Sequence, residues 1–230
     1  MVELFNQILY RPLFNLAVYM YSIIPGSDLG IAIISLTVII RIVFLPLSMK
    51  TIRSQRQLAS LGPKIDEIKE KHKNDKMAQS AAVMQLYKEH NINPLSGCFP
   101  ILVQIPILIA LYRVFLNISR SEGLEQLYGF ITVSGEINKF FMGFLDLTAA
   151  SPFLAICAGL FQYIHAKQSA SLTKGTNAKT MAAFSKQMLY FFPIMIIIIS
   201  WNLPAGLTLY WVTTMVFSIF EHLYIRRKHT

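Results

Sequence analysis

Five apolar stretches limit what this chain can fold into more than any other feature. The first covers residues 29–49 and carries one charge, Arg41. At 1.5 Å per residue it rises ~31 Å, the thickness of the hydrocarbon core of a bilayer. The others fall at about 95–116, 152–166, 188–203 and 205–224. Composition agrees. Hydrophobic residues make up 54% and charged residues 14%, against about 25% charged in soluble proteins. Mean hydropathy is +0.48. An ordinary soluble domain, a disordered chain and a collagen-like chain are excluded. The expected fold class is an all-α integral membrane protein with five transmembrane helices.

The remaining segments are read around those spans. Over residues 1–25, Phe5, Leu9, Leu13, Leu16 and Met20 recur every three or four positions, which predicts a helix. Arg11, Pro12 and Asn15 make it a poor span, so it is expected to lie on the outer membrane surface. Pro25-Gly26-Ser27-Asp28 ends it. The five-span core is then 26–225. Within it, residues 50–94 are polar, with two apolar rows: Leu58, Leu61, Ile65, Ile68 and then Met77, Ala81, Met84, Tyr87. Lys73-Asn74-Asp75 reads as the turn between them, giving a cytoplasmic helical hairpin with a narrow seam. Residues 118–150 form an outer loop with Glu122, Glu125, Glu136 and Asp146, and 226–230 a short basic tail. Spans three and four look short at ~15 residues, which predicts either tilt changes in their neighbours or local thinning of the bilayer.

Charge sets the orientation. The net charge is +9, and sixteen of the 21 Lys and Arg lie in the hairpin, the 167–186 loop and the tail. Basic loops stay on the cytoplasmic side. The expected location is the cell inner (plasma) membrane, with the N-terminus outside and the C-terminus cytoplasmic. The charge then reports topology and affinity for anionic lipid rather than DNA binding. Cys98 and Cys157 lie in apolar stretches and form no disulfide framework or zinc spacing. No cleavable signal peptide or lipid-anchor cysteine is expected at the N-terminus.

Arg41 is the sharpest candidate for function. It lies ~18 Å along its helix. A central arginine costs roughly 2.5–3.5 kcal/mol even on insertion-derived scales. Two readings stand: snorkelling to the inner headgroups, or an unpaired positive charge in a water-filled cavity. Glu221 is the nearest acidic residue, but the sequence places it closer to the cytoplasmic end. Gln104 and Gln162 suit either interhelical bonds or a cavity wall, and His165 suits the interface. Thr208, Trp211 and Met215 are expected on one face at i, i+3, i+7, where Trp211 either packs or lines a groove. No H-E-x-x-H, G-x-S-x-G or P-loop is present. No enzyme, metal or cofactor is expected.

Three stretches resemble the YidC family of membrane protein insertases. One is residues 87–106, which includes Asn93-Pro94-Leu95-Ser96-Gly97-Cys98-Phe99-Pro100. The second is Ile40-Arg41-Ile42-Val43-Phe44-Leu45-Pro46-Leu47-Ser48, and the third Leu203-Pro204-Ala205-Gly206-Leu207-Thr208-Leu209-Tyr210-Trp211. The resemblance implies five spans around a hydrophilic groove closed to the outside. Arg41 would be the groove charge and Trp211 the groove tryptophan, with Gln104, Gln162, His165 and Thr208 as further client-binding residues. Clients would be membrane proteins with one or two spans, with lipid as the other partner. The ribosome and a Sec-type translocon are further candidate partners. The rivals are a small membrane transporter and an assembly chaperone that does not insert its clients.

Overall fold

The computed structural model describes residues 2–93, 99–120, 122–132, 137–172 and 179–227. It is mostly helical. Helix α1 (Val2–Phe5) runs through a π turn (Asn6–Tyr10) into α2 (Arg11–Ile23). Then come α3 (Leu29–Ser60), α4 (Gly62–Lys71), α5 (Lys76–Glu89), α6 (Phe99–Arg120), α7 (Pro152–Leu172), α8 (Lys179–Ser200) and α9 (Ala205–Arg227). A two-stranded antiparallel hairpin, β1 (Phe140–Phe141) and β2 (Leu145–Asp146), precedes α7. Of the sequence features named above, residues 94–98, Glu136, 173–178 of the 167–186 loop and 228–230 lie outside the described residues.

Local chemistry sets these boundaries. Ile24 turns extended after α2, and Asp28 caps α3 by accepting a hydrogen bond from Ile31 N at 3.0 Å. The same aspartate accepts from Met142 N through its other oxygen, tying the β-hairpin to the start of α3. Gly30 lets that contact close, because a Cβ there would overlap the Phe141 ring. Asp75 caps α5 through Met77 N and Ala78 N.

The long helices differ from the apolar stretches read in the sequence. α3 has 32 residues and continues to Ser60, so residues 50–60 extend this helix and the hairpin proper is α4 and α5. α7 and α8 have 21 and 22 residues. Each is ~31–33 Å long, so the helices are longer than the ~15-residue apolar runs read in the sequence. Lys167 and Lys179 sit inside α7 and α8, so polar helical turns extend the apolar runs. Among the described residues one helix, α3, is long and apolar enough to cross a membrane by length and composition. Leu102–Ile118 and Leu189–Ser200 are shorter apolar stretches.

The main core lies at the N-terminal end of α3. It gathers Phe14, Ala17 and Val18 of α2, Ile33 and Leu36 of α3, Leu111 and Val114 of α6, and Leu207 of α9. The stripe of α2 facing it runs Tyr10, Phe14, Ala17, Val18, Tyr21, and the Leu9–Leu16 row flanks it half-buried. Leu147 O accepts from Gly206 N at 2.9 Å and Ala149 O from Ala205 N at 2.8 Å, which pins the loop to the start of α9. α7 packs mainly against α8 and α9, and α3 against α9.

A second small core holds α4 against α5. Leu61 and Ile65 meet Leu86 and Ile92, flanked by Leu58, Ile68, Val83 and Tyr87. The first apolar row read in the sequence is therefore the seam. Of the second row only Tyr87 packs there; Met77 is 85% exposed and Met84 49%. Both phases satisfy three–four spacing, and α5 buries the Val83–Leu86–Tyr87 face.

Candidate functional site

A cavity of about 510 Å³ lies between α3, α6, α7, α8 and α9. It is lined by residues 40–55 of α3, 103–108 of α6 and 210–222 of α9. The main core adjoins it, with Ile40, Ile107 and Tyr210 belonging to both. Most of its wall is apolar, from residues such as Phe44, Leu108 and Ile196, and the polar side chains are set into that wall.

Arg41 is on this wall, and it is the one lining residue among the described ones that is Lys, Arg, Asp or Glu. Its guanidinium is held against α9. Its Nη2 donates to Thr214 O at 3.1 Å and to the Ser218 hydroxyl, both on α9. The guanidinium lies 5.7 Å from the Phe217 ring centroid, within cation–π range. Nη2 is also 3.7 Å from Glu221 Oε2, and the two side chains are 17% and 4% exposed. The expectation of an unpaired charge is thus overturned. Residues 214, 217, 218 and 221 fall at i, i+3, i+4 and i+7, one face of α9. Glu221 is sixteen residues into its helix and Arg41 twelve into its own. That offset is only ~6 Å, a gap the long arginine side chain closes.

The other sequence candidates divide. Gln104 lines the cavity, and its Nε2 donates to the Tyr210 hydroxyl at 2.6 Å, joining α6 to α9. It is both an interhelical bond and a wall residue. Gln162 and Trp211 line the cavity, as does Met215. His165 lines it too, its ring edge-on to His222 with centroids 5.1 Å apart. Thr208 does not line it. It is 1% exposed, and its hydroxyl is directed at Pro204 O, 3.5 Å away, within its own helix. A step from 208 to 211 turns far enough round α9 to separate buried packing from cavity wall. Thr214 was read in the sequence as a polar residue within a span; Tyr210, Ser218 and His222 were not read as cavity residues, although the four share i, i+4, i+8, i+12 spacing on α9.

The described residues hold no cluster of three or more His, Cys, Asp or Glu placed for a metal. What the arrangement offers is a walled, partly polar space with one paired charge, suited to sheltering a polar segment of chain beside apolar surroundings.

Comparison with known proteins extends this picture. A family model described as "60Kd inner membrane protein" matches residues 19–230. A protein of Fusobacterium nucleatum named "Membrane protein insertase YidC" is 36% identical over 204 residues, covering 88% of each chain. One of the same name from Geotalea daltonii is 33% identical over 222 residues, 96% of this chain and 37% of that one. A crystal structure titled "Active YidC insertase crystal structure with the first transmembrane domain resolved" superposes with a TM-score of 0.61 at 25% identity, over 92% of this chain and 45% of that one. The chain thus spans most of the first relative and under half of the other two.

Proposed function

The chain belongs to the YidC family of membrane protein insertases, described as 60Kd inner membrane proteins, and from that premise we propose that it inserts small client proteins into the bacterial inner membrane through the cavity beside Arg41. In this reading α3, α6, α7, α8 and α9 cross the bilayer. The N-terminal end of α3 faces outward, and the C-terminus and the α4–α5 hairpin are cytoplasmic. Helices α1 and α2 lie along the outer surface.

The observation that carries the reading is the cavity's position. All five long helices wall it, and the core at the N-terminal end of α3 adjoins it toward the side proposed to face outward. A client's hydrophilic tail would enter from the cytoplasm. The guanidinium and the glutamine, serine and threonine groups on the wall offset part of its desolvation cost. The client's apolar segment then moves into lipid. Burying ~20 apolar residues there drives release. The hairpin, rich in lysine, receives clients, and the ribosome and a Sec-type translocon are its candidate neighbours. Tail transfer involves no covalent step.

The test is insertion into proteoliposomes. A single-span client with a short polar tail is synthesised beside them, and its protease-protected fraction is measured. Purified protein should raise protection well above empty liposomes. Protection equal to empty liposomes would sink the reading. Solute uptake without protection would favour a transporter, and suppressed client aggregation without protection a non-inserting chaperone.

A further inference from the structure

We propose that Glu221 sets which tail charges the cavity accepts, acting as the built-in counter-ion of Arg41. This deepens the insertase reading and rests on it.

Three observations converge. Arg41 is the sole Lys, Arg, Asp or Glu side chain among the described lining residues. Glu221 is not on the wall. It lies behind Arg41, 3.7 Å from Nη2, with its side chain 4% exposed. Arg41 Nε and Glu221 Oε1 are both buried and make no hydrogen bond among the described residues. The pair is therefore charge-balanced, with hydrogen-bonding capacity left over on each partner.

A balanced pair makes a different receptor from a bare arginine. An acidic group on an entering tail must compete with a carboxylate already held on the adjacent helix. Tethering gives that carboxylate an effective concentration on the order of millimolar or above. A basic tail is not repelled by a full positive charge, because Glu221 cancels much of it at short range. The cavity thus takes polar tails with little regard to the sign of their charge. Removing Glu221 exposes the positive charge and favours acidic tails. Removing Arg41 leaves a lone buried carboxyl, which becomes neutral by taking up a proton, so the cavity then has no charge preference of its own.

Glu221 acts through Arg41, so its test must read charge preference rather than yield. Proteoliposomes carrying wild type, Glu221→Gln, Arg41→Gln or both changes are given one client with an acidic, a neutral or a basic tail. The readout is the ratio of acidic-tail to basic-tail insertion within each preparation. That ratio is independent of how much folded protein each variant yields. Wild type should give a ratio near one. Glu221→Gln should raise it at least about fivefold, the low end of measured couplings between sites. Arg41→Gln and the double variant should both stay within about twofold of wild type, because neither leaves a net charge at this place. An unchanged ratio in Glu221→Gln overturns the proposal. If that variant fails to accumulate, an unchanged ratio in Glu221→Ala overturns it equally. Absence of insertion by wild type with every tail overturns the insertase reading, and this proposal with it.

Discussion

Gln104 and Tyr210 join α6 to α9 across the cavity wall, amide to hydroxyl at 2.6 Å. Tyr210 is 3% exposed, so Tyr210→Phe leaves the Gln104 amide without this acceptor and adds nothing to fill the gap. Interhelical polar bonds of this kind average ~0.6 kcal/mol and reach ~1.7. Tyr210→Phe should therefore destabilise by about 1 kcal/mol in detergent unfolding. Gln104→Leu together with Tyr210→Phe should cost no more than the single change. A double variant that loses the sum of both single effects would separate the two residues energetically.

Asn15 should matter more than its place in an amphipathic helix suggests. It is 1% exposed, its Oδ1 accepts from Tyr128 N at 2.6 Å, and its Nδ2 donates to Gln126 O at 3.2 Å. It fastens the loop after α6 to α2. Asn15→Leu leaves the Tyr128 amide without its acceptor, at about 1–3 kcal/mol, while Gln126 O keeps its hydrogen bond from Arg11 Nε at 3.3 Å. Limited proteolysis around residues 124–130 should quicken severalfold relative to wild type. Unchanged cleavage would show that the loop is held by the Tyr128 and Phe130 rings alone.

α7 and α8 approach closely because of Gly159. A Cβ there would overlap the Ile197 side chain and come within 3.2 Å of Pro193 O. Overpacking costs about 1–3 kcal/mol. Gly159→Ala should lower the melting temperature, and adding Ile197→Ala should recover part of the loss. Full tolerance of Gly159→Ala would mean that the two helices separate freely at this level.

Asp146 carries a pH dependence outside the long helices. Hydrogen bonds from the Thr148 hydroxyl, at 2.7 Å, and from Thr148 N, at 2.8 Å, hold its carboxyl below the usual carboxylate range. A lowered folded-state pKa gives stability that is present above the unfolded value and lost as pH falls through the folded one. Exchange protection of the Thr148 amide, corrected for intrinsic rate, should be flat from about pH 7 to 5. It should fall below about pH 4. Protection that declines across the neutral range would contradict this assignment.

Apolar length was the legible part of this fold. The long helices, the break at residues 25–28, the turn at 73–75 and the α4 row of the seam all follow from spacing and capping. Helical phase was less legible. Met77 and Met84 satisfy the same three–four rule as Val83 and Leu86, and only packing against α4 separates them. The site was legible as a set of polar residues in apolar helices, but its pairing was not. Arg41 and Glu221 are 180 positions apart. Matching them requires the relative tilt and offset of α3 and α9, and a depth count from helix ends hides a partner within reach of a long side chain.

The same phase question gives the most direct test of the cavity. Thr208, Trp211 and Met215 were expected on one face, yet only Trp211 and Met215 line the cavity, and Thr208 is buried against its own helix. Single cysteines at each position, with Cys98 and Cys157 replaced by serine, should report this through a membrane-impermeant, water-soluble maleimide. A thiol reacts as thiolate, so labelling needs access to water. In vesicles exposing the cytoplasmic side, Trp211→Cys and Met215→Cys should label, and Thr208→Cys should stay unreacted until the protein is denatured. A client trapped during insertion should slow labelling at 211 and 215 and leave 208 unchanged. Labelling at 208 equal to that at 211 would place the water-filled space on a different face of α9, and would remove Arg41 from its wall.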